Sequence, residues 1–176
     1  MVYKDEMKLV ELCKSDIRFF STLYENYVKD VYRYSYSIAG NRETAEDATS
    51  FAFLTALEKI NTFQYKGISI KAWLFVISRN YIFKTGQKGM INLDPEIEVI
   101  DKDIDVIEKM MIDESAKQVN SELLKLSSIE NEIIRLRTFE ELSFSEISTI
   151  LNIGKSKTKM IYYRSLQKLY KSISGN

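Results

Sequence analysis

The chain of 176 residues has no histidine, one cysteine (Cys13), one proline (Pro95) and one tryptophan (Trp73). A lone cysteine excludes an intrachain disulfide. With no histidine beside it, the usual zinc ligand sets cannot be assembled, and histidine-based acid–base catalysis is excluded as well. No nucleophile–base pair, metal cluster or glycine-rich phosphate loop is visible, so neither enzymatic activity nor a metal or cofactor is expected. Cys13 reads as a small residue near a helix start. Long apolar runs are lacking too. None follows the opening Met-Val-Tyr-Lys-Asp-Glu, which is not how a secretory signal is built. The longest, around Trp73–Ile77, is far too short to span a bilayer. The expected location is the cytoplasm, with no membrane partner.

An excess of charge of either sign is also missing: 25 basic residues balance 25 acidic ones. Their distribution is uneven. Residues 1–93 carry 13 basic and 10 acidic side chains, residues 94–115 carry 2 and 9, and residues 116–176 carry 10 and 6. Two mildly basic units thus flank an acidic segment. Local clustering of charge, rather than the total, governs binding to nucleic acid.

What is present is helical periodicity. Phe19, Phe20, Leu23, Tyr24, Tyr27, Val31, Tyr34 and Ile38 recur at three- and four-residue steps and form an apolar stripe. Gly40-Asn41 stops that helix. A second helix is predicted from about Arg42 to Ile60, rich in alanine and leucine, with Glu43, Glu46 and Asp47 at its positive end. A loop over Asn61–Ser69 leads to a third helix from about Ile70 to Thr85. The acidic stretch settles into no single period and reads as a linker with a short helix near its end. About 25–30 extended residues would reach some 80–100 Å. Beyond it, Ser127-Ser128-Ile129-Glu130 and Ser143-Phe144-Ser145-Glu146 both fit the capping box that opens a helix. A turn at Asn152-Ile153-Gly154 precedes a last helix from Lys155 to about Ser172. The fold class is therefore all-α: two helical units, 1–88 and 118–176, joined by an acidic flexible linker, 89–117.

Two constellations point to nucleic acid. The short helix Phe144–Leu151, the turn and the longer last helix form a helix-turn-helix, the arrangement that lays its second helix in the DNA major groove. That helix carries Lys155, Lys157, Lys159, Arg164, Lys168 and Lys171 and no acid. The stretch Lys59–Leu93 holds Lys59, Lys66, Lys71, Arg79, Lys84 and Lys88, again without an acid, interleaved with Phe63, Tyr65, Trp73, Tyr81 and Phe83. Cations that follow a backbone and rings that accept unstacked bases make a single-strand surface. Trp73 is expected to pack in the core, and Phe63 and Tyr65 to be exposed in the loop.

These residues resemble the extracytoplasmic-function (ECF) branch of the sigma-70 family of RNA polymerase sigma factors. Phe20-Ser-Thr-Leu-Tyr24, Gly40-Asn-Arg-Glu-Thr-Ala-Glu-Asp47, Lys71-Ala-Trp-Leu74 and Ile77-Ser-Arg-Asn80 are similar to region 2. Leu126-Ser-Ser-Ile-Glu-Asn-Glu-Ile-Ile-Arg-Leu-Arg137, Leu142-Ser-Phe-Ser-Glu-Ile147 and Leu151-Asn-Ile153 are similar to region 4. No piece is specific alone; their order and spacing are. The resemblance implies a subunit that takes polymerase to promoters and helps melt them. Asp47, Ser50, Phe51 and Leu54 would dock on the clamp helices of the largest polymerase subunit. The loop with Phe63, Gln64, Tyr65, Lys66 and Ser69 would capture a flipped base of the −10 element, with Asn80 in its pocket and Lys71, Arg79, Lys84 and Lys88 along the strand. Lys155, Ser156, Lys157, Lys159, Tyr163 and Arg164 would read the −35 element. The linker would thread the active-site and RNA-exit channels. Implied partners are the largest and second-largest core subunits, promoter DNA and an anti-sigma factor.

The chain departs from the family pattern at Ser50 and Phe51, where a glutamine and an acid are usual, and at Gly154, Thr158 and Ile161. These departures suggest a divergent group, such as the small sigma factors that drive toxin or bacteriocin genes. A competing reading is a helix-turn-helix regulator with an N-terminal oligomerisation or sensing bundle, which predicts operator binding without polymerase. A third is a helical adaptor whose basic faces are incidental.

Overall fold

The computed structural model describes residues 2–86, 123 and 125–174, and every regular element among them is helical. Helix α1 (Val2–Ser15) has Asp5 in its first turn and Lys14 in its last, both favourable to the helix dipole. Cys13 lies in the last turn of α1, not near a helix start, because the helix already begins at Val2. Its thiol is buried, and burial raises its pKa. Asp16 caps the 3-10 turn Ile17–Phe19, and α2 (Phe20–Ala39) follows.

Gly40 closes α2 in the left-handed region at φ 70°, its N–H donating to the Tyr36 carbonyl. Asn41 next to it is extended, and its side chain accepts the Thr44 N–H. The pair therefore ends one helix and caps the next, α3 (Arg42–Lys59). Along α3 the buried positions Ala45, Ala48, Ala52 and Ala56 form a ridge of methyl groups. Small side chains there let α2 and α4 (Ile70–Lys84) approach closely. A 3-10 turn, Ile60–Thr62, and the loop to Ser69 connect α3 to α4.

Both expected capping boxes are present. Ser127 with Glu130 opens α5 (Ser128–Thr138), and Ser143 with Glu146 opens α6 (Phe144–Leu151). Asn152 at φ 53° stops α6, and α7 (Lys155–Ser174) completes the helix-turn-helix. Thr158 and Ser165 face inward on α7, their hydroxyls satisfied by the carbonyls of Gly154 and Ile161. The acidic linker and its expected short helix lie outside the described residues.

The two helical units pack against each other. One apolar cluster runs from Val10 and Leu23 through Phe75 and Ile82 to Ile133, Leu136 and Ile147, and the junction is formed where α6 meets α4.

Candidate partner and nucleic-acid interfaces

The outer face of α3 carries Asp47, Ser50, Phe51 and Leu54, all exposed as a docking surface requires. Leu54 is 61% exposed and Phe51 44%. Leu57, one turn further on, is exposed too, and Tyr81 of α4 lies against Phe51 with ring centroids 4.8 Å apart. Apart from the buried Phe53, the inner face of α3 is lined by small alanine and threonine side chains, and Phe51, Leu54 and Leu57 stand outside. A contiguous exposed apolar patch marks an interaction site. Leu57 and Tyr81 extend it beyond the residues read from sequence; their signal was the three-to-four-residue step from Leu54 and the tertiary pairing of α3 with α4.

The loop before α4 divides its residues. Gln64, Tyr65 and Lys66 are exposed. Phe63, expected to be exposed, is buried: it follows the buried Ile60 by one 3-10 turn and lies against Trp73 with centroids 4.8 Å apart. Trp73 is partly buried against the core, as expected. Ser69 is buried and caps α4 by accepting the Ala72 N–H. A cavity of about 30 Å³ lies beside the loop, lined by Glu6, Val10, Phe63, Tyr65 and Ile70 among others. That is room for a water and not for a base. Along α4, Asn80 and Lys84 are exposed, while Lys88 lies outside the described residues.

Lys71 and Arg79 do not stand free along the strand surface. The Lys71 ammonium lies 2.9 Å from Asp30 and 2.5 Å from Glu140. Burial works against its charge, yet these two carboxylates hold its pKa above the ordinary lysine value. Arg79 Nε donates to Glu132 at 2.9 Å, and the buried Tyr34 hydroxyl donates to the same carboxylate at 2.8 Å. Ser69 donates to Glu146 from its hydroxyl at 2.6 Å and from its N–H at 3.1 Å. Burial disfavours the Glu146 carboxylate, but hydrogen bonds from Ser69 and Ser143 outweigh it and keep its pKa low.

A second carboxylate reaches the same helix start from α1. Glu6 accepts the N–H groups of Ile70 at 2.7 Å and Lys71 at 3.3 Å. Burial raises its pKa, against the lowering effect of those N–H groups, and the nearby Glu146 charge adds to the rise. Glu6 thus satisfies two donors that a helix N-terminus leaves without intrahelical partners. Glu6→Ala should lower unfolding stability by about 1–3 kcal/mol, while Glu6→Gln, still an acceptor, keeps most of it. Urea unfolding of the two variants checks this. Sequence alone gave no sign of Glu6, because its partners lie more than sixty positions away.

In the second unit, Lys155, Ser156, Lys157, Lys159, Tyr163 and Arg164 are all exposed on α7. Phe144 of α6 braces this surface: its ring lies 5.4 Å from Tyr162, 4.9 Å below the Arg137 guanidinium and 5.8 Å from the Lys159 ammonium. Lys168 is turned elsewhere, paired with Glu130 of α5 at 2.5 Å. That hydrogen bond, with those from Ser127, pulls the Glu130 pKa down to about 2.

Both helical units match family models of known proteins. Residues 23–85 match the Sigma-70 region 2 family model, and residues 123–171 match the Sigma-70, region 4 model. Together they span most of the chain, which belongs to the sigma-70 family. Within it the chain is similar to ECF sigma factors. It is 31% identical over 170 residues to the ECF RNA polymerase sigma factor BldN of Streptomyces coelicolor, covering 93% of this chain and 64% of BldN. It is 28% identical over 153 residues to the ECF RNA polymerase sigma factor SigM of Bacillus subtilis, covering 84% of this chain and 90% of SigM. The fold is shared with CnrH, solved in complex with the cytosolic domain of CnrY, at TM-score 0.62 and 18% identity over 97% of this chain and 98% of CnrH. Among the described residues no helix is long and apolar enough to cross a membrane, and no cluster of candidate metal ligands occurs.

Proposed function

We propose that the chain directs core RNA polymerase to specific promoters and promotes their melting, acting in the cytoplasm as a specificity subunit and not as an enzyme. The observation that carries the reading is one chain with an exposed apolar face on α3 and an acid-free cationic helix in a helix-turn-helix, each inside a sigma-70 family match. The unit 1–88 holds polymerase and the −10 element, 89–117 is the linker, and 118–176 holds the −35 element. Asp47, Ser50, Phe51 and Leu54 meet the largest subunit. Phe63 supports the base-capture loop from within, and Gln64, Tyr65, Lys66 and Asn80 meet the extruded base. Lys155, Ser156, Lys157, Lys159, Tyr163 and Arg164 read the −35 duplex. An anti-sigma factor is a further partner, as in the solved complex of the sigma factor RpoE with the anti-sigma factor NepR from Bartonella quintana. A helix-turn-helix regulator acting without polymerase would need neither the region 2 match nor the α3 face.

The test is transcription in vitro from the promoter upstream of the chain's own gene, with and without core polymerase. Transcription should require both. Lys157→Ala with Lys159→Ala should weaken holoenzyme binding and reduce the slope of log affinity against log salt by about 2, since each lysine releases about one counterion. An unchanged slope would remove these lysines from the DNA contact.

A further inference from the structure

We infer that Glu6 of α1 is a positioning residue for promoter opening: by gripping the first turn of α4 it fixes the end of the capture loop and holds the Tyr65 ring where an extruded base can stack. The inference rests on the promoter reading above and concerns how that site is built. Helix α1 ends at Ser15 and lies outside residues 23–85, the part of the first unit that matches the region 2 model.

The loop between α3 and α4 is held at both ends. At its start the Phe63 N–H donates to the Ile60 carbonyl at 3.1 Å, and the Phe63 ring packs on Trp73. At its end the N–H groups of Ser69, Ile70 and Lys71 all donate to carboxylates. Ser69 is held by Glu146, which belongs to the second unit. Ile70 and Lys71 are held by Glu6, which belongs to the same unit as the loop. One oxygen, Oε1, accepts from both, at 2.7 Å and 3.3 Å. Glu6 is 6% exposed, and away from water such bonds are stronger.

With both ends fixed, only residues 64–68 can move to admit a base. Gly67 turns the chain there at φ 81°, in the left-handed region. Tyr65 stands two residues past the first anchor. It lines the small cavity together with Glu6, Met7 and Val10, so α1 is the surface against which the loop is set. Without the Glu6 acceptor, the first turn of α4 must shift to find other partners for its N–H groups. A ring accepts a base over a narrow range of separation and tilt, and a misplacement of about 1 Å can cost about 100-fold in a rate.

The test uses the full-length chain with core polymerase on the promoter upstream of its own gene, at a temperature where every variant is folded. Opening is followed by permanganate reactivity of the promoter thymines. Glu6→Ala should leave affinity for core and for the closed promoter within about twofold of wild type. It should slow opening about tenfold, inside the range that one base stacked on one ring supplies. Glu6→Gln, still an acceptor, should open within about threefold of wild type. Ile38→Ala is the control for lost stability. Ile38 is buried in the last turn of α2 and belongs neither to the cavity nor to the loop anchors, so its loss should not slow opening. The decisive comparison is Glu6→Ala/Tyr65→Ala. If Glu6 acts through the Tyr65 ring, this chain opens no more slowly than Tyr65→Ala alone, within about twofold. Slowings that multiply, a control as slow as Glu6→Ala, or Glu6→Gln as slow as Glu6→Ala would overturn the positioning role. If Tyr65→Ala slows opening and Glu6→Ala does not, the positioning role fails and the promoter reading stands. If Tyr65→Ala opens at the wild-type rate, capture by this loop fails and the role of Glu6 fails with it. If the wild-type chain with core never opens the promoter, the promoter reading itself fails.

Discussion

Leu54→Arg should lower the affinity of the chain for core RNA polymerase by about 30- to 700-fold, with a melting temperature within about 2 °C of wild type. The side chain is 61% exposed, so its replacement leaves no cavity and buries no charge in the free protein. At a docked interface the same position sits among Phe51 and Leu57, and an arginine there loses its water without gaining a partner. Loss of a central apolar anchor costs about 2–4 kcal/mol, and every 1.4 kcal/mol is a factor of ten in affinity. Phe51→Ala should act in the same direction with a smaller effect, because the Phe51 ring already lies on Tyr81 and is partly covered in the free chain. Asp47→Ala, at the polar edge of the patch, should change association rate and salt dependence more than the lifetime of the complex. Titration of labelled chain against core polymerase measures all three, and binding of Leu54→Arg within about threefold of wild type would remove the α3 face from the contact.

The features read correctly from sequence were local ones. The capping boxes at Ser127 and Ser143 need only four consecutive residues, and both form with the expected bonds. Gly40, Asn41 and the boundaries of α3 and α4 were legible for the same reason: caps, dipole and propensity act within a turn or two. The exposed cations of α7 followed from an acid-free helix after a turn. The errors arose where distant residues decide. Phe63 sits in a loop, and loops are usually exposed, but the neighbouring Trp73 ring turns it inward. The positive run of α4 looked like open surface; Glu132 and Glu140, 53 and 69 positions further along, claim Arg79 and Lys71. Glu6 and Glu146 bracket the start of α4 from opposite ends of the chain, and no period or spacing encodes that meeting.

The contrast between two aromatic residues of one loop gives the sharpest test of how the site melts DNA. Tyr65→Ala should slow open-complex formation by about 5- to 150-fold, the loss of one base stacked on one ring at about 1–3 kcal/mol. Tyr65→Phe should restore most of the rate, since stacking uses the ring and not the hydroxyl. Neither change should destabilise the fold, because Tyr65 is 40% exposed. Phe63→Ala should do the reverse at the level of stability, costing about 3–5 kcal/mol through the cavity it leaves beside Trp73. Permanganate reactivity of the promoter thymines reports opening, and thermal unfolding reports stability. The physical reason for the split is geometric. A ring already packed on tryptophan cannot also receive a base, whereas a ring at the loop surface can, once the loop opens wider than the water-sized cavity beside it. If Tyr65→Ala opens promoters at the wild-type rate, the extruded base is held elsewhere, and Asn80, exposed on the next element, becomes the residue to replace.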